Sequence, residues 1–175
     1  MITNNSAGSG GGSAYSTLSH CLVTGNHANA RGGGVFQSSL QACKLTDNTA
    51  LETGGGARWS TLRNCLLLRN SAGAGGGAMD CIVINCTVVN NTTTEYAGGV
   101  CDGSVHNSII LSNQSGLYPN HNFTSYSGIV TGLSLFLYIA DPIEQHWQHR
   151  YFQRFYRLSG WRFPFADKFT VLECG

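Results

Sequence analysis

Two aspartates, Asp80 and Asp102, each stand three residues after the last glycine of a glycine run, at Gly77 and Gly99. The same offset after Gly12, Gly34 and Gly56 gives Tyr15, Gln37 and Trp59. Two carboxylates held side by side could divide acid and base work on a glycosidic bond, which needs them about 5 Å or about 6.5–9.5 Å apart. They could also raise one another's pKa or share a hard cation such as Ca²⁺. Asp80 and Asp102 are therefore the candidates for a catalytic or metal site, and Tyr15, Gln37 and Trp59 for a sugar-facing strip. No adjacent Asp-Asp, no Gly-His-Gly and no third carboxylate joins the pair. The plain alternative is two solvated surface aspartates.

Other chemistry is sparse. His146 and His149 have the i, i+3 spacing of two zinc ligands, with Cys174 the nearest further donor in sequence. His20 and His106 are expected to share the column before the cysteine or serine, which Ala42, Asn64 and Asn85 fill in the coils between, a mixture that suits a solvent-facing position. The glycine runs lack the following Gly-Lys-[Ser/Thr] of a phosphate loop. Asn-x-[Ser/Thr] matches, such as Asn4, Asn85 and Asn91, follow from an Asn- and Thr-rich composition. No cofactor is implied.

What must position these residues is a repeat. An apolar residue recurs as Leu18, Leu40, Leu62, Val83 and Val105; three residues later come Cys21, Cys43, Cys65, Cys86 and Ser108. Five further on stand Asn26, Asn48, Asn70, Asn91 and Asn113, and the glycine runs close each unit. Steps of 22, 22, 21 and 22 residues in the cysteine and asparagine columns are the signature of a solenoid. Stacked in register, Asn residues can hydrogen-bond up and down a ladder, and each coil covers its neighbour's apolar face. Each coil contains three short extended pieces, separated by Gly and Asn corners that tolerate positive φ. Seven cysteines cannot all pair within the chain. Stacked cysteines lie about 4.8 Å apart, with parallel side chains that hold their Cβ atoms too far apart for a disulfide, so the column reads as buried free thiols acting as small hydrophobes.

Charged residues make up only 11% of the chain and the formal net charge is +1, which excludes the basic footprint of a nucleic-acid binder. The regular apolar columns exclude disorder despite 23 glycines. The first residues carry no secretory signal and read as the interior of a coil, Thr3 to Ala7 matching Leu68 to Ala72. The chain is therefore expected to be a fragment that stacks on further coils at its N-terminal end.

The unit C-x-Φ-x-x-N-x-A…G-G-G-Φ, carried by Cys43 to Asn48 with Gly54 to Ala57 and by Cys65 to Asn70 with Gly75 to Ala78, resembles bacterial right-handed parallel β-helix repeat proteins. It is also similar to the repeats of chlamydial polymorphic outer-membrane proteins. The resemblance covers roughly the first two thirds of the chain and implies an adhesin-like protein, extracellular or at the outer-membrane surface. A minority of β-helix relatives are polysaccharide lyases or hydrolases.

After Gly116 the period stops. Residues 129–140 are an apolar run too short to span a bilayer. Asp141, Pro142 and Glu144 then open a predicted helix striped by Ile143, Trp147, Tyr151, Phe155 and Leu158, flanked by Arg150, Arg154 and Arg157. Ala140 to Ile143 and Tyr156 to Ser159 match pieces of a common β-helix tail, while the residues between do not, as in a diverged or frame-shifted end.

The expectation is an all-β, right-handed parallel β-helix of about five 22-residue coils over 1–116, with a C-terminal cap containing a short helix over 117–175. Its expected function is a non-enzymatic scaffold that binds carbohydrate or a host or cell-surface ligand, with no membrane-spanning segment and no nucleic acid. The alternative is a carbohydrate-active enzyme fragment using Asp80 and Asp102.

Overall fold

Four recurring positions in each coil, joined in the fifth by Gly103, are held at positive φ, and these positions explain why the chain folds as short straight pieces. The first corner is Gly10, Gly32, Gly54, Gly75 and, in the fifth coil, Ala97; the second is Tyr15, Gln37, Trp59, Asp80 and Asp102. The third is His20, Ala42, Asn64, Asn85 and Asn107; the fourth is Asn4, Gly25, Asp47, Arg69, Asn90 and Ser112. A single left-handed residue turns an extended chain sharply, and only Gly and, less readily, Asn or Asp do so at little cost.

The computed structural model describes residues 1–116, 120–122 and 125–126. Every strand pairing within it is parallel, so the chain forms a parallel β-solenoid with turns about 22 residues apart. One sheet stacks Ile2–Thr3, Leu22–Thr24, Lys44–Thr46, Leu66–Leu68, Thr87–Val89 and Ile109–Leu111. A second stacks Ser6–Ser9, His27–Arg31, Thr49–Ala50, Ser71–Ala74 and Thr92–Tyr96. The third is bent at the second corner. Its early coils have two strands there, such as Val35–Phe36 and Ser39–Gln41, while later coils run continuously as Ala78–Ile84 and Val100–His106.

In-register stacking puts like on like. Leu18, Leu40, Leu62, Val83 and Val105 are direct partners, as are Val23, Leu45, Leu67, Val88 and Ile110. These two files, with Val35, Ala57, Ala78 and Val100, form the core, and all but Leu18 are buried. Each buried Leu or Val contributes about 1.5–3 kcal/mol relative to exposure. Behind the second sheet the interior narrows to Ala28, Ala50 and Ala72.

The glycine triplets serve two different needs. Gly54 has φ of 67° and makes the turn. Gly55 does not; a Cβ there would lie 2.4 Å from the Ser71 carbonyl oxygen and 2.5 Å from that of Gly76. It is therefore a close-approach glycine between coils, and the corner assigned to the whole run belongs to its first member.

Past Gly116, where the sequence period is expected to stop, parallel pairing continues. His121–Asn122 pairs with Val100–Cys101, and Ser125–Tyr126 pairs with Ser104–Val105. The predicted helix from Asp141, the apolar run over 129–140, the His146/His149 pair and Cys174 lie outside the described residues. Among the described residues no helix is long and apolar enough to cross a membrane.

Replacing Gly55 with Val should cost about 3 kcal/mol or more through backbone displacement. That corresponds to a fall in Tm of roughly 6–12 °C by thermal melting; an unchanged melting point would contradict the close approach.

Candidate functional site: polar ladders and an aromatic corner strip

The residue after each left-handed corner decides how neighbouring coils are tied. After the fourth corner it is asparagine. Asn26 donates from both its backbone N and its Nδ2 to Oδ1 of Asn48, at 3.0 and 2.9 Å. Asn48 does the same to Asn70 (3.0 and 2.9 Å), Asn70 to Asn91 (2.8 and 3.0 Å), and Asn91 to Asn113 (2.9 Å for both). The remaining amide hydrogen of Asn48 goes to the Val23 carbonyl at 3.0 Å, and that of Asn70 to Leu45 at 2.9 Å. The ladder thus satisfies side chains that are essentially fully buried.

The structure extends this file at both ends. Asn5 donates to Asn26 Oδ1 at 3.0 Å from its backbone and 3.1 Å from Nδ2. At the other end Asn113 donates twice to Asn120 Oδ1, both at 3.2 Å, a residue only seven positions on. Asn120 supplies there what the asparagine a whole coil further on supplies elsewhere.

After the third corner the residue is cysteine. Cys21, Cys43, Cys65 and Cys86 form the expected single file and are free thiols. They are not only small hydrophobes. Backbone N–H groups of Cys21 and Cys65 point at the sulfurs of Cys43 (3.4 Å) and Cys86 (3.3 Å), and that of Cys86 donates to Ser108 Oγ at 3.0 Å. Cys43 and Cys65 in turn donate S–H to the carbonyls of Gln41 (3.3 Å) and Arg63 (3.2 Å). After the second corner Ser16, Ser38, Ser60 and Cys81 repeat the device: Ser16 N reaches Ser38 Oγ and Ser38 N reaches Ser60 Oγ, both at 3.1 Å, and Ser60 N reaches Cys81 Sγ at 3.4 Å. Sequence reasoning missed this serine file, although its period is the same. His106 does not share the column of His20: Asn107 precedes Ser108 and takes the place after Asn85 at the third corner, while His106 pairs with Ile84.

Burial pushes the Cys81 thiol up to about 11, and burial with the neighbouring Asp102 carboxylate does the same for Cys101. Both remain protonated, as S–H donation requires.

The corner strip itself is Tyr15, Gln37, Trp59, Asp80 and Asp102, on successive coils. The predicted vertical placement of Asp80 and Asp102 holds, because Met79 pairs with Cys101 and Cys81 with Gly103. Asp80, however, is ion-paired with the Arg58 guanidinium. Asp102 belongs to no ion pair among the described residues; Cys101 Sγ lies 3.6 Å from its Oδ2. Among the described residues no group of three His, Cys, Asp or Glu side chains could hold a metal.

Beside the strip runs a second file, Phe36, Arg58, Met79 and Cys101. It alternates with the inward file Val35, Ala57, Ala78 and Val100, so it lies on the outer side of the sheet, yet Phe36 and Arg58 are each only 8% exposed. They are covered by the strip. The Phe36 ring meets Tyr15 edge-on at 5.9 Å and Trp59 at 5.4 Å between centroids. The Arg58 guanidinium lies 4.3 Å from the centre of the indole, and Arg31, paired with Glu52 at 3.2 Å, lies 5.6 Å from it. Tyr15 and Trp59 remain 76% and 41% exposed. Comparison with protein-family models, curated proteins and solved structures found no match. The fold therefore places the chain among parallel β-solenoids.

Asn48→Ala should destabilise by roughly 3 kcal/mol or more, since it orphans several buried groups at about 1–3 kcal/mol each. Asn48→Asp should be worse at pH 7 than at pH 4, because a carboxylate oxygen would replace the donor that faces Val23 O and Asn70 Oδ1. The folded carboxyl then has a raised pKa, so stability falls as pH rises above the ordinary aspartate value near 4.

Above a pH of about 9 the unfolded chain loses thiol protons that Cys81 and Cys101 keep until about 11. Urea midpoints should therefore drop between these limits, and the drop should be shallower in a Cys81→Ser, Cys101→Ala variant.

Proposed function

We propose that this chain is a non-enzymatic β-solenoid scaffold, part of an adhesin-like protein at the cell surface or secreted, which binds a carbohydrate or host-surface ligand along the second-corner strip. The repeat resemblance to bacterial β-helix and chlamydial outer-membrane repeats motivates the setting. One observation carries the binding reading. Three of the four corners are built mainly from Gly, Asn and other small or polar residues, whereas the second holds Tyr15, Gln37 and Trp59 at φ of 54°, 45° and 51°. A bulky residue in that conformation costs about 1–2 kcal/mol, and Asn would make the same turn. Large exposed rings placed against local preference suit contact with a ligand better than stability.

The ion pair of Arg58 with Asp80 also supports a binding role. A carboxylate whose oxygen is already held by a guanidinium is poorly placed to exchange a proton with a substrate. The competing reading, a lyase or hydrolase fragment, draws on the adjacency of Asp80 and Asp102 beside Trp59.

Display of the chain on beads, incubated with glycan arrays and host cells, should give binding that Tyr15→Asn and Trp59→Asn both reduce, while melting temperatures stay level or rise. Binding indifferent to both substitutions would remove the strip from the account. Turnover of uronate polymers with Ca²⁺, lost in Asp80→Ala, would favour the enzyme instead.

A further inference from the structure

Resting on the reading of the strip as a binding surface, the geometry points to its ligand class: we propose an extended, uncharged polysaccharide laid along the solenoid axis, with sugar rings against Tyr15 and Trp59. Three features on the same surface lead there.

The first is direction and spacing. Tyr15, Gln37 and Trp59 sit on consecutive rungs, tied by Tyr15 N to Phe36 O (3.0 Å) and Gln37 N to Arg58 O (2.9 Å). Two rungs separate the aromatic residues by about 9–10 Å, close to the length of two pyranose rings joined in an extended chain. A polymer running across the coils would meet only one of the rings.

The second is preorganisation. Phe36 stands between the two, edge-on to Tyr15 with an interplanar angle of 84° and to Trp59 at 61°. Both exposed rings are thus propped from beneath by one buried side chain, which lowers the ordering needed when a flat apolar sugar face settles on them. Gln37 lies exposed between them, with an amide that can donate to and accept from hydroxyls.

The third is charge. The ionised groups around the strip are Arg31, Glu52, Arg58, Asp80 and Asp102. Arg31 is engaged by Glu52 and Arg58 by Asp80, so the one charge outside an ion pair among these described residues is the Asp102 carboxylate. A uronate or sulfated chain would find no free cation and would approach a net negative surface; like-charge juxtaposition is unfavourable and selects against it. Neutral hydroxyls can donate to Asp102 and Asp80.

The test uses the intact chain with cellohexaose and mannohexaose as neutral probes and hexagalacturonate as the acidic one, by calorimetry at low salt. The neutral hexasaccharides should bind at least tenfold more tightly than their disaccharides and than hexagalacturonate. Trp59→Asn and Tyr15→Asn should each weaken that binding roughly tenfold or more, as for a central aromatic contact. Asn suits the left-handed corner, so these variants fold. Asp102→Asn should raise hexagalacturonate affinity relative to that of the neutral hexasaccharides, a change tied to local charge. Equal or tighter binding of hexagalacturonate to the unaltered chain would overturn the proposal, as would neutral binding untouched by either aromatic substitution. If no hexasaccharide binds while host-cell binding still falls in Trp59→Asn, the glycan assignment fails and the strip remains a binding surface. If cell binding is also unchanged, both readings fail.

Discussion

The structure depends on what happens to one backbone N–H just after each of three left-handed corners. A lone left-handed residue rotates the peptide plane, so the following N–H no longer meets a carbonyl across the rung as it would within a strand. In each case the side chain of the equivalent residue one coil further on supplies the acceptor: Asn48 Oδ1 for Asn26, Cys86 Sγ for Cys65, Ser60 Oγ for Ser38. A buried N–H left unpaired costs about 1–3 kcal/mol, and a solenoid repeats the debt at every coil. The inward residue after the corner is thus constrained to be small and able to accept. That is why Ser108 can stand in the cysteine file and Cys81 in the serine file.

The three files differ in how much they do. Cysteine and serine each accept one N–H and return their own proton to a carbonyl two residues back, as Ser38 does to Phe36 O at 2.9 Å. Asparagine has one more hydrogen to donate, so its file links side chain to side chain as well as to backbone. Because each amide polarises the next, the chain of bonds from Asn5 to Asn120 gains from its own continuity. Register follows from this. A strand slipped by one residue would turn Leu and Val outward and break all three files at once.

The outer surface is free of that constraint, and its chemistry can be read separately. At the second corner the backbone asks for Gly or Asn, yet the chain supplies Tyr15, Gln37 and Trp59, and then Asp80 and Asp102. Below them Phe36 and Arg58 are buried without belonging to the core, so the strip and its floor form a small packed layer outside the solenoid wall. An aromatic–arginine layer of this kind holds side chains in fixed positions, which a binding surface requires and a solvated corner does not.

The amino-acid sequence alone determined the period, the parallel in-register stacking and the asparagine and cysteine files, because repetition at 22 residues leaves one way to bury like against like. It also put Asp80 directly under Asp102. What it left undecided depends on where side chains turn after a corner. The triplet Gly54 to Gly56 reads as uniform, yet only coordinates separate the residue that needs positive φ from those that need room for a carbonyl. Asn120 was illegible because it stands seven residues after Asn113, outside the period of 22. Likewise only the tertiary structure decided that Arg58, one residue before Trp59, reaches the next rung to engage Asp80. A charge pair between coils is set by side-chain direction across the stack, and spacing along the chain does not encode it.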